Sequence, residues 1–226
     1  MKRNGGLLMK ILALDFSSSQ RSAAVLTDAN AAAHEAIDTS PGRDMRPFAL
    51  IESALRQAKL EREAIECIAV GIGPGSYAGI RVAISLAQGW QLATGVKLLG
   101  IGSVECIAAQ AVASGVRGKF CVAIDAQRGE FYLGAYEATN DGPKETSPLR
   151  LATLAETQER ERAGELLIGP EAVRWFPDGK LIFPQAAMLA QLAAQRSNFV
   201  AGEKLVPIYL RETTFVKAPP SRVLSS

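Results

Sequence analysis

Hydrophobic and polar positions along this chain form short apolar runs separated by amphipathic stretches. Lys10–Phe16 reads as an apolar strand ending in Asp15, Ser17–Gln20 as its turn, and Arg21–Thr27 as the returning strand. Ala31–Asp38 reads as a third strand, after which Pro41-Gly42 breaks the pattern. Phe48, Ile51, Leu55 and Ala58 recur at helical spacing and predict a helix over Pro47–Lys59. A short buried strand over Ile68–Gly71 precedes a long helix, Tyr77–Thr94, stopped by Gly95. Lys97–Gly100 and Ser103–Ser114 read as one further strand and helix.

The pattern then restarts. Lys119–Asp125 is an apolar strand ending in Asp125, Gln127-Arg128-Gly129 is a turn, and Glu130–Ala138 returns. Asp15 and Asp125 are 110 residues apart, close to half of the 226-residue chain. A unit repeated at half-length is a statement about topology. It predicts two α/β lobes facing a cleft, built from a duplicated βββαβα unit, the two-lobed actin-like ATPase layout with a ribonuclease H-like sheet. The expected division is a flexible leader over 1–8, an N-terminal lobe over 9–102, a C-terminal lobe over 103–216 and a loose tail over 217–226. The second half is decorated: Thr153–Ala163 is a charged helix, Leu166–Gly169 a short strand, and Gln185–Arg196 an Ala/Leu-rich helix.

Two local features stand out. In Gly71-Ile72-Gly73-Pro74-Gly75-Ser76, Ser76 is placed to cap the helix that follows. Bare amides there suit an anion or a closely approaching backbone; the glycines equally suit a strand-to-helix turn with positive φ. Neither the Walker spacing nor the dinucleotide fingerprint is met. Along the long helix, Arg81, Ser85, Gln88 and Gln91 form one narrow polar stripe, and Gly79, Ala83 and Ala87 a row of small residues. A helix with so little polar surface is expected to be covered on two sides. One cover is its own sheet; the other is the Pro47–Lys59 helix or a partner chain.

A hydrophobic fraction of 48% and a charged fraction of 21% describe a globular protein, and a net charge of +2 is too small to point to nucleic acid. Cys67, Cys106 and Cys121 sit among apolar residues and read as buried reduced thiols of a cytoplasmic protein. No apolar run approaches bilayer length, so no membrane association is expected. His34 is the sole histidine, which leaves no imidazole pair and no metal site of that kind.

Asp15 after Ile11-Leu12-Ala13-Leu14, Gly73-Pro74-Gly75-Ser76-Tyr77-Ala78-Gly79-Ile80-Arg81, Ala123–Tyr132, and Pro207-Ile208-Tyr209-Leu210-Arg211 together resemble the TsaB (YeaZ) family over residues 9 to about 211. The resemblance implies a non-catalytic subunit that activates TsaD in making N6-threonylcarbamoyladenosine in tRNA. TsaD and the ATPase helper TsaE are the implied partners, with a homodimer when the chain is alone and tRNA reached only through the complex. TsaD-like proteins carry a His-x-x-x-His metal pair, which this chain lacks.

The implied partner surface is made of Phe48, Ile51, Leu55, Tyr77, Ile80, Arg81, Ile84 and Ala87. For Arg81, pairing with an acidic group there and capping a solvated helix edge are both open. The two hairpins, with Asp15, Ser17, Asp125, Arg128 and Glu130, are degenerate as phosphate sites. The first hairpin has no glycine, the second has Gly129 only four residues after Asp125, and Phe16 and Gln127 are expected to crowd a phosphate. Either aspartate can serve metal or phosphate, or cap a turn amide. Arg128 and Glu130 face the cleft, as contacts for TsaE or an adenine nucleotide or as a surface charge pair. No intrinsic cofactor is expected, and ATP or ADP is accommodated only at a composite interface with TsaD or TsaE. Departures from the family pattern are Arg43 and Asp44 in place of a His-Ser pair, Pro47 for a leucine, and Tyr77-Ala78 for Phe-Thr. The alternative function is a stand-alone ATPase of the same fold or a glycoprotease-type enzyme.

Overall fold

The computed structural model describes residues 9–28, 32–40 and 46–211. The expected leader, the tail beyond Arg211, Ala31, Pro41-Gly42, Arg43 and Asp44 lie outside the described residues.

The chain forms β1 (Ile11–Asp15), β2 (Arg21–Leu26), β3 (His34–Asp38), α1 (Pro47–Ala58), β4 (Cys67–Gly71), α2 (Tyr77–Thr94), β5 (Lys97–Ile101) and α3 (Ser103–Ala113). The second unit has β6 (Gly118–Asp125), β7 (Glu130–Thr139), β8 (Gly142–Thr153), α4 (Leu154–Arg162), β9 (Leu166–Gly169), α5 (Ala172–Trp175), β10 (Lys180–Leu181) and α6 (Ala186–Ala193). The sheets run β3-β2-β1-β4-β5 and β10-β9-β6-β7-β8. In each, the first strand pairs antiparallel with the second and parallel with the fourth. The second sheet therefore repeats the order of the first, which establishes the duplicated two-lobed α/β fold.

β1 and β4 are buried along their whole length, which suits strands covered on both faces. Leu12, Leu14 and Phe16 point to α1 and α2, and Ile11 and Ala13 point to the opposite side. That opposite side is covered by Ala186, Leu189, Ala190 and Ala193 of α6. Conversely, Val104, Ile107, Ala108 and Ala111 of α3 pack on Phe120, Val122 and Ile124 of the second sheet. The two units thus exchange their last helices. α3, which follows residue 102, packs on the second sheet. α6, farther along the chain, covers the underside of the first sheet with its apolar face.

The small-residue row of α2 faces its own sheet. A Cβ at Gly79 would lie 1.9 Å from the Phe16 carbonyl oxygen, so only glycine lets the helix and the β1–β2 hairpin approach this closely. Gly75 stands in the same relation to Ser17, with a Cβ position 2.1 Å from the Ser17 oxygen and φ of +149°. Ser76 accepts from the Gly79 amide as the helix cap.

The second cover of α2 is the strap that follows α6. Val200 bridges antiparallel to Leu98 and closes the edge of β5. Gln88 donates to the Gly202 carbonyl at 2.8 Å, the Gly202 amide donates to Gln91 at 2.7 Å, and Leu205 enters the core beneath α2. The lower half of the polar stripe therefore serves the strap backbone, while Arg81 and Ser85 remain in solvent. No helix among the described residues is long and apolar enough to cross a membrane.

Candidate functional site

Two surfaces merit a functional reading. The first is the cleft of about 520 Å³ between the lobes, lined by Ser17, Ser18 and Ser19 of one hairpin and Asp125, Ala126 and Gln127 of the other, with Arg21, Glu171, Tyr132 and the start of α2.

Asp15 is fully buried. Its Oδ1 accepts from the Ser17 amide at 2.9 Å and the Ser17 hydroxyl at 2.7 Å, and the Ser17 hydroxyl oxygen accepts from Ser103 at 2.8 Å. Oδ2 has no partner; it occupies the space that a side chain on Gly71 would fill. Burial raises the Asp15 carboxyl to about 7, against the hydrogen bonds from Ser17. Asp125 is half-buried, and its Oδ1 accepts from the Gln127 amide at 2.7 Å. Both aspartates cap a turn amide. Glu171 accepts from the Asp125 amide, and its carboxyl is raised chiefly by burial.

The fold family implies a nucleotide in this cleft, and the residues present do not fit one. The Ser76 amide, at the head of α2, is bonded at 2.7 Å to the Ser17 carbonyl and is not offered to phosphate. Arg21 pairs with Asp38, and Asp125 and Glu171 add negative charge. Phe16, expected to crowd the cleft, is buried under α2, because position 16 faces the core as Leu12 and Leu14 do. Gln127 does line the cleft, in the left-handed region with φ of 66°. Arg128 and Glu130 do not line it. Arg128 is exposed at the hairpin tip, and Glu130 is paired with Arg211 of the strap, which also donates to the Ala126 carbonyl. The expectation that the two face the cleft is therefore corrected: the left-handed turn carries both away from it. His34 is exposed at the head of the edge strand β3, and no group of three His, Cys, Asp or Glu able to hold a metal occurs among the described residues.

The second surface is the face shared by α1 and α2. Phe48, Ile51 and Leu55 of α1 and Leu86, Trp90 and Ala93 of α2 line an apolar groove of about 390 Å³, with Glu52, Arg62 and Glu63 at its rim. Phe48 is 67% exposed and Leu92, on the same helix as Trp90, is 90% exposed. Leu92 falls on the Arg81–Ser85 side of α2, away from the groove lining. Single exposed apolar residues are ordinary, but an apolar groove from which Phe48 stands out marks a docking surface. Tyr77 and Arg81 are exposed farther along α2. Ile80, Ile84 and Ala87 are not on this surface. They are buried in the first lobe's core, so their expected contact with a partner is corrected: their side of α2 faces the sheet. Sequence reasoning missed Leu86, Trp90 and Ala93, although they share one helical face at three- and four-residue spacing, as Phe48, Ile51 and Leu55 do.

The family model described as TsaD: tRNA N6-adenosine threonylcarbamoyltransferase matches residues 47–173, more than half of the chain. The tRNA threonylcarbamoyladenosine biosynthesis protein TsaB of Escherichia coli is 26% identical over 232 residues, spanning 95% of this chain and all of the relative. The chain belongs to the TsaB (YeaZ) family. The solved structure of YeaZ from Pseudomonas aeruginosa superposes with a TM-score of 0.74 at 25% identity, covering 90% of this chain and all of that one. A second Pseudomonas aeruginosa structure, described as similar to peptidase YEAZ, gives a TM-score of 0.77 at the same identity.

Proposed function

We propose that this chain is a non-catalytic subunit in the formation of N6-threonylcarbamoyladenosine in tRNA, acting in the cytoplasm by docking on TsaD through its α1–α2 face. The single observation that carries this reading is the apolar groove between α1 and α2 with Phe48 standing out of it. A helix pair of the partner laid into the groove would bury these side chains, each contributing about 1.5–3 kcal/mol when fully covered. In the absence of TsaD, two copies are expected to cover the same face about a two-fold axis, the self-complementary arrangement open to such a patch. In this reading ATP or ADP belongs only to a composite interface with TsaD or TsaE, and tRNA is reached through the complex; the Ser17 bond to the Ser76 amide is what supports leaving the cleft without a nucleotide of its own.

Size-exclusion chromatography with light scattering, on the chain alone and mixed with TsaD of the same organism, tests the reading. A homodimer that converts to a heterodimer supports it. A monomer that ignores TsaD overturns it and brings forward the stand-alone ATPase, which measured ATP turnover lost in Asp15→Asn would then establish.

A further inference from the structure

The junction between the lobes closes on one buried carboxyl. The two oxygens of Asp15 meet different surroundings. Oδ1 accepts from the Ser17 amide and hydroxyl, and the Ser17 hydroxyl oxygen accepts from Ser103 at the start of α3. Because α3 packs on the second sheet, this chain of bonds runs from one lobe into the other. Oδ2 has no partner among the described residues. A Cβ on Gly71 of β4 would stand 2.1 Å from it, and Leu189 of α6 bounds the same space.

The N-terminus of α6 is held by side chains from three elements around this carboxyl. Gln110 of α3 accepts from the Gln185 amide at 3.1 Å, Ser22 of β2 from the Ala186 amide at 2.8 Å, and Glu35 of β3 from the Ala187 amide at 3.1 Å. The Ser103 amide donates to the Gly73 carbonyl at 2.8 Å. These bonds make one seam, where the two exchanged helices meet the first sheet. Glu35 and Cys106 of α3 are the titratable groups that act on Asp15 or feel its charge. β4 and α6 carry no charged side chain, Arg21 of β2 is paired with Asp38, and Glu105 of α3 is paired with Arg196. Burial pushes the Asp15 carboxyl up to about 7, against the Ser17 bonds, and the Glu35 charge adds to the rise. Burial holds the Cys106 thiol well above its ordinary value, so it stays uncharged.

We infer that Asp15 is a proton-operated latch between the lobes: with its proton the carboxyl seals the seam of α3 and α6 on the first sheet, and losing the proton releases that seam to water. An ionised carboxylate with a free oxygen between Gly71 and Leu189 is strongly unfavourable, because nothing there replaces its hydration. Opening the seam hydrates it. The hydrated carboxyl has the ordinary value of 3.8 and the sealed one about 7, so opening releases a proton between these values. Closure is therefore fullest below the lower value and is lost progressively as pH rises to the upper one. Above that the open fraction levels off. Ser17 lines the cleft between the lobes, so the latch also governs the floor of that cleft.

The test is amide hydrogen exchange of the full chain from about pH 5 to about pH 8, each rate referred to the intrinsic rate of its amide. The amides of Ser103, Gln185, Ala186 and Ala187 should exchange ahead of those of β1 and β4. Their protection should fall by up to about tenfold per pH unit until about pH 7 and then level off. Asp15→Asn keeps an acceptor for Ser17 and cannot ionise, so its seam amides should show no such fall. Glu35→Gln keeps the acceptor for the Ala187 amide and removes the charge, so the levelling-off should move to lower pH. This second variant reads the latch even where Asp15→Asn does not fold. Seam protection that ignores pH, an equal fall in Asp15→Asn, or an unmoved levelling-off in Glu35→Gln overturns the latch. Seam amides that exchange together with those of β1 and β4 overturn it as well, since the proton is then released only by global unfolding.

Discussion

Asp15 and Asp125 close the same turn: Oδ1 of each accepts the backbone N–H two residues on, at 2.9 Å from Ser17 and 2.7 Å from Gln127. The duplication has kept this bond in both lobes while separating the surroundings. Asp15 is sealed between the first sheet and α6 with an unpartnered Oδ2, and Asp125 stands at the wall of the cleft.

That difference has a measurable pH dependence. Folded Asp15 keeps its proton up to about pH 7, whereas the unfolded chain releases it near the ordinary value of 3.8. The folded state therefore binds the extra proton between these values, and stability falls as pH rises through that window. Glu171, also raised by burial, acts in the same direction. Thermal unfolding followed from pH 4.5 to 8, values chosen to bracket the window, should show a declining midpoint in the native chain and a flatter profile in Asp15→Asn. An equal decline in both would assign the effect elsewhere.

The α1–α2 groove separates surface from core along one helix. Ala93→Arg changes an exposed position that lines the groove and should leave stability nearly unchanged, within about 0.5 kcal/mol, while abolishing self-association and TsaD binding. Ala87→Arg, at a fully buried position, should instead lower stability by about 1–3 kcal/mol or more. Light scattering and thermal melts on the two variants check both halves.

Gly79→Ala should destabilise the fold although it adds one methyl to a helix, where alanine ordinarily gains. The added carbon would stand 1.9 Å from the Phe16 carbonyl oxygen, a backbone atom that cannot rotate aside. A loss of about 1–3 kcal/mol is expected, read as a drop of roughly 2–4 °C per kcal/mol. Gly89→Ala, where nothing lies within 4 Å, is the matched control and should be neutral or stabilising.

Arg211→Ala should free the end of the strap. The ion pair with Glu130 is partly exposed and contributes at most about 1 kcal/mol to global stability. The informative measurement is hydrogen exchange: the Ile208 amide, bonded to Ile72, should lose protection, while amides of β1 and β4 keep theirs.

Much of the fold is legible in the sequence where local pattern and burial agree. The limits of α2 follow from Ser76 and Gly95, and the repeated strand–turn–strand from the two aspartates. β8 escaped because Gly142–Thr153 is an edge strand with exposed Lys144, Glu145 and Thr146, two prolines and two register shifts against β7, so no alternation is visible. Periodicity shows that Gly79, Ala83 and Ala87 share a face, but not that this face meets the sheet, and Ile80, Ile84 and Ala87 were misplaced with it. Gln88 and Gln91 read as solvent-facing because their partner, Gly202, is more than 110 residues away. For the site, the apolar spacing of Phe48, Ile51 and Leu55 is legible in the sequence; the contact of Tyr77 with Tyr209 is not, since it forms only through the path of the strap.

The exchange of α3 and α6 between the lobes carries a consequence for biosynthesis. When the first 102 residues have left the ribosome, every strand of the first sheet is present, yet its underside still lacks α6 and the edge of β5 still lacks Val200. Apolar residues such as Ile11, Leu26 and Leu99 then stay open to water or to a chaperone. The lobe translated first is thus completed last, by a helix and a strap that emerge about a hundred residues later, and a chain truncated before Ala186 should be captured by chaperones or aggregate instead of yielding an independent N-terminal lobe.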